Sequence, residues 1–415
     1  MRVPQPLADA FGAPFEAELS RFLLEGGLID EEGSLQSDRF LNRSVAPHVR
    51  KLSEFFNRLS EDAPSALRGS YWKLSSNPKN LRLAYFLGFM PPNLFRVAGV
   101  WSELSRLGYR WPFRSALRAI DFGSGPASAV CGVAAGEAYA PIGLPKDGNW
   151  AVLDLDGATL DLGISWSHAY TSFLNSTASA PSWEFRKFAR KIEIESLLPP
   201  AAPRFQLWTQ SFFLNEYESQ PASVVADSLL TCWHKHLDDE ALVIWVEPAL
   251  KMESRRLLEV RAALLEKIEK KGLPYQVLLP CLGHQACGAL AKPDDWCHEE
   301  VMWWRPPYLR KLDAICSLDR KSLPFSYLVL AKTKRPLPEL LPALGGQKTE
   351  RLVSPSHSEG RDSEFFICGT DGKRRARTRT PDDEAQEVQR GDILVGVNSR
   401  GDDHALQIEK FRKRI

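Results

Sequence analysis

LRAIDFGSGPASAV, residues 117–130, is the stretch on which the fold turns. An apolar run closes on Asp121 and Phe122, glycines follow at 123 and 125, and small residues continue beyond. That order predicts a strand, a tight turn and a helix of small side chains. A dinucleotide fingerprint would carry glycine at position 128, where serine stands, and the lysine of a phosphate-binding P-loop is missing.

Working outward, the same alternation repeats. WAVLDLD is a second strand, followed by a helix from about Thr159 to Phe173. WEFRKF is a third strand and FQLWTQSFF a fourth, with a helix around Ala222 to His236. ALVIWVEPA is a fifth, leading into the long helical pattern KMESRRLLEVRAALLEKIEKKG. PYQVLLP makes a sixth strand and FSYLVLAK a seventh, joined without a helical crossover and so suited to an antiparallel pair at one edge. Strands alternating with helices predict a mostly parallel sheet covered on both faces. Residues 1–115 read as helical: Leu19, Phe22 and Leu23 recur at helical spacing, as do Val49, Leu52, Phe55, Phe56 and Leu59. A further helix through Leu81, Leu83, Tyr85, Phe86 and Phe89 is expected to stop at the MPPN turn. Residues 116–335 form the α/β domain, with a cysteine-rich insertion at 280–300. In 336–415, PLPELLPALGG and SPSHSEG read as linker or surface loops, and EFFICGTDG, ARTRT, EVQRGDILVGV and ALQIEKF as a small β-rich appendage.

The 415 residues carry a net charge of +1, so only local patches can attract a polyanion. No run reaches the apolar length of a membrane span, and no signal-peptide core opens the chain. Seven cysteines, an odd number, suit a reducing compartment. The expectation is a soluble, cytoplasmic, monomeric protein with no membrane partner.

The turn D-x-G-x-G-x-A resembles the cofactor loop of class I S-adenosylmethionine-dependent methyltransferases, a Rossmann-like fold. On that reading Gly123 and Gly125 let the backbone approach the amino-acid part of the cofactor and Asp121 helps hold its ammonium. Asp154 and Asp156, at the end of the second strand, are placed for the ribose hydroxyls, Asp154 first. Many such loops carry glycine where Ala127 stands. Asn215 and Glu216, in FFLNEYE after the fourth strand, would sit at the mouth of the cleft, where capping a helix is an equal role. The Asn/Asp-Pro-Pro-aromatic run of amino-directed methyltransferases is absent there, and Pro280-Cys281 follows the sixth strand rather than the fourth. No residue identifies itself as catalytic.

PCLGHQACGALAKPDDWC, residues 280–297, crowds Cys281, Cys287 and Cys297 as C-x5-C-x9-C, with His284 and His298 nearby. Three thiols on one loop point to a metal lacking a fourth ligand. Cys316, Cys368 and the two histidines are open as that ligand, the histidines favouring zinc, and spacing alone does not choose the metal.

The cysteine stretch, DDWCHEEV, PFSYLVLAK, VEPALKMESRRLLEVR upstream and ICGTDGKRRAR downstream together resemble the small-ribosomal-subunit methyltransferase-like family, whose bacterial branch is the Rsm twenty-two family. The resemblance runs from about Leu81 to the C-terminus and takes in DFGSGPASA and SFFLNEYE. It implies a methyltransferase-like domain with a 4Fe–4S cluster on Cys281, Cys287, Cys297 and Cys368, the last from the appendage. It also implies binding to the small ribosomal subunit or its assembly intermediates and to 16S-type rRNA. Lys373, Arg374, Arg375, Arg377 and Arg379 follow the last ligand, a cluster suited to phosphate contacts or to a solvated basic strand. Two function classes stay open: an rRNA methyltransferase using S-adenosylmethionine, and an assembly or translation factor that uses the fold as a scaffold. The missing catalytic motif favours the second. A radical methylase lacks its C-x3-C-x2-C loop.

Overall fold

The computed structural model describes residues 1–29, 34–58, 71–217, 219–345, 348–359, 362–379, 389–400 and 406–413. The helical part comprises α1 (Gln5–Ala10), α2 (Ala13–Glu25), α3 (Asp38–Phe40), α4 (Ala46–Arg58) and α5 (Pro78–Arg106). Leu59, the last residue expected on one of these helical faces, lies outside the described residues. The expected stop at Met90-Pro91-Pro92-Asn93 does not occur, because α5 runs through both prolines. Each proline removes the amide that would bind the carbonyl four residues earlier. The structure supplies substitutes: the Tyr308 hydroxyl donates to the Leu87 carbonyl at 2.8 Å, and Arg320 donates to the Gly88 carbonyl at 2.5 Å. A tertiary contact therefore carries the helix over its breaker.

The α/β domain follows the expected alternation: β1 (Leu117–Phe122), α6 (Ser128–Tyr139), β2 (Asp147–Asp154), α7 (Gly157–Thr177), β3 (Ser182–Ala189), β4 (Phe205–Ser211), α8 (Ala222–His236), β5 (Leu237–Pro248), α9 (Lys251–Lys271) and β6 (Gln276–Leu279). After the cysteine loop come β7 (Glu299–Met302), α10 (Pro307–Cys316) and β8 (Ser322–Ala331). The sheet order is β3-β2-β1-β4-β5-β8-β6, with β7 also on β8. Strands β1 to β5 are parallel, and β8 is antiparallel to β5, β6 and β7. One late reversed strand slotted beside β5 is the arrangement of a class I methyltransferase-like sheet. The crossing from β6 to β8 is not bare, since β7 and α10 occupy it. The strand alternation of β7 is only four residues long, and α10 begins behind Pro306-Pro307.

Helices α5, α6 and α7 cover one face and α8 and α9 the other, giving two apolar cores. Small residues let α5 lie against α6: a Cβ on Gly132 would meet the Leu94 carbonyl, and one on Gly136 the Trp101 ring. No helix among the described residues is long and apolar enough to cross a membrane.

The segment expected as linker is part of the structure. Helix α11 (Leu337–Leu340) and the turn after it bury Leu340, Leu341 and Leu344, whose apolar side chains outweigh the proline punctuation. SPSHSEG contains a short strand. The appendage comprises β9 (Thr349–Leu352), β10 (His357–Glu359), β11 (Asp362–Gly369), β12 (Gly372–Arg379), β13 (Ile393–Arg400) and β14 (Leu406–Lys413). Order β10-β11-β12-β14-β13-β9, with β9 also on β11, closes it into a barrel around Leu352, Phe365, Ile367, Ala376 and Leu394.

One buried cation joins the parts. Arg351 of β9 lies in ion pairs with Glu103 of α5 and, at 3.3 Å, with Glu299 of β7. Tyr327 of β8 donates to Glu103 at 3.0 Å, and the Met1 amino group donates to Glu299 at 3.3 Å. Burial works to raise Glu103, yet Arg351 and Arg106 hold it below the ordinary carboxylate range. Removing the cation strands two buried carboxylates, so Arg351→Met is expected to cost about 3–5 kcal/mol in denaturant unfolding. A loss under ~1 kcal/mol would show that the network is solvated.

Candidate functional site

The cradle forms where sheet order reverses between β1 and β4, at the carboxyl ends of the strands, the usual ligand crevice of such sheets. Gly123 and Gly125 take left-handed φ of 65° and 49°, as their residue type allows. Ala127 does too, at 57°, where a glycine would relieve the strain. Ser124 ties the loop to both strands: its hydroxyl donates to the Asp121 carbonyl at 2.8 Å and accepts the Leu153 amide at 3.2 Å.

Asp121 is 1% exposed. Its Oδ1 accepts from Thr209 of β4 at 2.7 Å, while its Oδ2 has no partner. Burial pushes this carboxyl up to about 7, and the charge of Asp154 adds to the shift. An orphaned buried acceptor beside a glycine loop fits a cationic group such as the ammonium expected there. Asp154 accepts the Gly125 amide on Oδ2 and the Asp156 amide on Oδ1, both at 2.9 Å. With the Leu155 amide also acting on this carboxylate, a lone pair is still left for a hydroxyl.

The structure gives Asp156 other partners than a ribose. Both its oxygens accept from Arg82 of α5, at 2.6 and 2.8 Å, and Oδ2 also accepts from Thr159. It caps α7 and draws α5 over the cradle. Tyr71 donates to or accepts from Thr159 at 2.8 Å, and a Cβ on Gly125 would lie 3.5 Å from the Tyr85 hydroxyl. The helical region therefore walls the crevice. Arg82, Tyr71 and Tyr85 gave no sign of this in sequence, sitting among core-facing neighbours. Asn215 falls in the 3-10 turn Leu214–Tyr217 after β4, its side chain outside the described residues. That turn is held by Glu247 of β5, whose Oε1 accepts the Phe213 and Leu214 amides and the Trp245 indole. Among the described side chains of this region, none declares itself as a methyl-transfer base.

The second site is the cysteine loop. Arg261 of α9 donates to the Gly283 and Gln285 carbonyls at 3.2 and 3.0 Å, and Arg255 to those of Lys292 and Asp295 at 2.8 and 2.6 Å. Ser326 of β8 holds the Cys297 carbonyl at 3.0 Å. These bonds shape a loop without regular structure and turn its thiols toward the barrel. A Cβ on Gly288 would overlap the backbone of Lys373, the cross-strand partner of Cys368. Burial raises Cys287, Cys297 and Cys368, the last to about 12, and in each case neighbouring cysteines of this same set push further. Cys281, Cys287, Cys297 and Cys368 are thus brought together, all as free thiols. Among the described residues, no three or more such side chains stand close enough to hold a single metal ion.

Cys316 is elsewhere, at the end of α10 against the Ala46 carbonyl, and Cys131 and Cys232 are buried in helices. The Nε2 of His284 accepts the Val277 amide at 3.2 Å, which takes the lone pair a metal would need. His284 is therefore no free donor, His298 keeps an unpartnered Nδ1, and the cysteines as placed among the described residues form no metal-holding group.

The basic run on β12 has local partners. Lys373 pairs with Asp295 of the cysteine loop at 2.6 Å, and Arg374 with Glu350 at 2.6 Å. Arg375 and Arg377 share Glu364. The side chain of Arg379 lies outside the described residues. The charges read as phosphate contacts are thus partly neutralised within the fold, which sequence spacing could not show.

The model of the family described as mitochondrial small ribosomal subunit Rsm22 matches residues 147–392. No curated protein matches the chain. Solved structures similar to it include magnesium protoporphyrin IX methyltransferase from Synechocystis PCC 6803 with bound SAM, at 11% identity and TM-score 0.34, covering 66% of this chain and 99% of that one. The plantazolicin methyltransferase BpumL is 12% identical at TM-score 0.34, covering 68% and 99%. A methyltransferase from Pyrococcus furiosus is 10% identical at TM-score 0.30, covering 57% and 83%.

Because the folded carboxyl of Asp121 lies above its unfolded value, its contribution favours folding at low pH and is lost as pH rises through about 7. Asp121→Asn is therefore expected to stabilise the unliganded protein by about 1–3 kcal/mol at pH 8.5 and to leave it unchanged at pH 3, below the unfolded carboxyl's titration. Urea unfolding at the two pH values measures this. An equal effect at both would remove the titration from the explanation.

Proposed function

The chain belongs to the mitochondrial small ribosomal subunit Rsm22 family, and from that premise we propose that it is an iron–sulfur-containing, methyltransferase-like factor acting on the small ribosomal subunit through rRNA. The observation that carries the reading is the contact of the cysteine loop, which bears Cys281, Cys287 and Cys297, with the Cys368–Lys373 pair of the barrel. A 4Fe–4S cluster on these four thiolates would supply a covalent bridge between sheet and barrel. The seven thiols are free among the described residues, in keeping with a reducing, cytoplasmic setting.

The cradle supports S-adenosylmethionine as a second bound group. Asp121 would face its ammonium and Asp154 its ribose, with Gly123 and Gly125 admitting the backbone close to it. Asp156 and Arg82 would keep α5 in place as the wall of the crevice. Methyl transfer to small-subunit rRNA is the competing reading, favoured by that intact cradle. What counts against it is the missing Asn/Asp-Pro-Pro-aromatic run after β4. The factor role therefore comes first.

Three measurements test these parts separately. Protein purified without oxygen is expected to carry about four irons and four sulfides per chain, and about one zinc without sulfide would replace the cluster by a structural zinc. Calorimetry is expected to show S-adenosylmethionine binding that weakens about tenfold or more in Asp121→Ala, since an ionic hydrogen bond is removed. Purified small subunits are expected to retain the protein in sedimentation. Labelled methyl transfer to those subunits, abolished by Asp121→Ala, would instead make the enzyme reading primary.

A further inference from the structure

The appendage closes in a specific way. Counting β9 and β10 as one interrupted first strand, its order is first, second (β11), third (β12), fifth (β14), fourth (β13) and back to first. All neighbours are antiparallel except β12 with β14, which are parallel. A five-stranded barrel of that order is an OB-fold, whose second and third strands form the face that takes oligonucleotides in other proteins.

Here the corresponding face is β11 with β12. Alternation sends Ser363, Phe365 and Ile367 into the barrel, all 5% exposed or less, and leaves Glu364, Phe366 and Cys368 outside. On β12 the exposed partners are Arg375, opposite Phe366, and Arg377, opposite Glu364. Phe366 is 39% exposed, an unusual state for a phenyl ring in mid-strand. The Lys373 ammonium lies 5.3 Å from its ring centre. Glu364 accepts from Arg375 at 3.0 Å and also pairs with Arg377, so the two guanidiniums are spread over the face with one net positive charge. The cysteine loop covers only the Cys368–Lys373 end.

We propose that this face binds single-stranded RNA, one base stacking on Phe366 while Arg375 and Arg377 leave Glu364 for phosphates. An exposed ring stacks on any base, and guanidiniums beside it follow the backbone. Among the described residues this face carries one exposed ring, Phe366, which suits a base left unpaired. The inference deepens the rRNA reading above and rests on it for the source of the RNA.

The test uses the full chain, a labelled oligouridylate of about twelve nucleotides and its duplex with oligoadenylate, followed by anisotropy. Expected is binding of the single strand over the duplex, weakened about tenfold by Phe366→Ala and retained by Phe366→Trp. Glu364→Gln is expected to tighten binding severalfold by freeing both guanidiniums. Arg377→Gln should lower the log–log salt slope by about 0.7, one phosphate contact on a single strand. Phe366 and Arg377 are exposed and Glu364 is half-buried, and near-identical unfolding curves would show that the variants fold. No binding of the single strand, or equal binding by Phe366→Ala, overturns the proposal. If that happens while small subunits still retain the protein, the rRNA reading stands without this face. If the oligonucleotide results hold while subunits do not retain it, the face stands and the ribosomal reading falls.

Discussion

Arg351 is the cation around which the molecule is assembled. It is 3% exposed, and its two carboxylate partners come from α5 and β7, while the arginine itself belongs to the barrel. Three chain segments, 52 to 248 residues from the arginine to its partners, therefore share one desolvated charge cluster. Such a cluster adds little net stability over an apolar replacement but penalises any arrangement that breaks it. Its consequence here is geometric: the barrel has one position against the sheet, and the face of β11 that carries Cys368 is turned to the cysteine loop.

From that position the two sites follow. The loop between β6 and β7 has no ladder of its own and is shaped by Arg255 and Arg261 from α9. Its thiols have a fourth neighbour only because the barrel stands where Arg351 holds it. The cradle at β1 and β4 depends on a parallel device, Arg82 reaching from α5 to Asp156. In both places an arginine from a distant element sets backbone geometry, and a residue with unsatisfied chemistry is left beside it: Asp121 in one, the four thiols in the other.

Local pattern made the strand–helix alternation legible, because each strand is a short apolar run closed by turn residues. The glycine turn and the cysteine spacing were legible for the same reason, each lying within a dozen or so residues. What was not legible depended on contacts across the fold. Pro91 and Pro92 stop a helix unless Tyr308 and Arg320 take the released carbonyls, and neither is near them in sequence. The leucines after Lys332 looked like linker because their burial comes from elements far away. The β12 arginines looked free because Glu350 and Glu364 lie on neighbouring strands. The barrel's closure, and with it the identity of its outer face, required knowing that β12 pairs in parallel with β14.

The central claim is that the four-cysteine site bridges barrel and sheet. Hydrogen–deuterium exchange on metal-loaded and metal-stripped protein measures this most directly. The expected result is faster exchange confined to the cysteine loop and to β9, β11 and β12 after stripping, with β1, β4 and β5 unchanged. Equal protection of β11 in both states would contradict the claim, leaving contacts such as the Arg351 carboxylate pairs and the Lys373–Asp295 pair to hold the barrel.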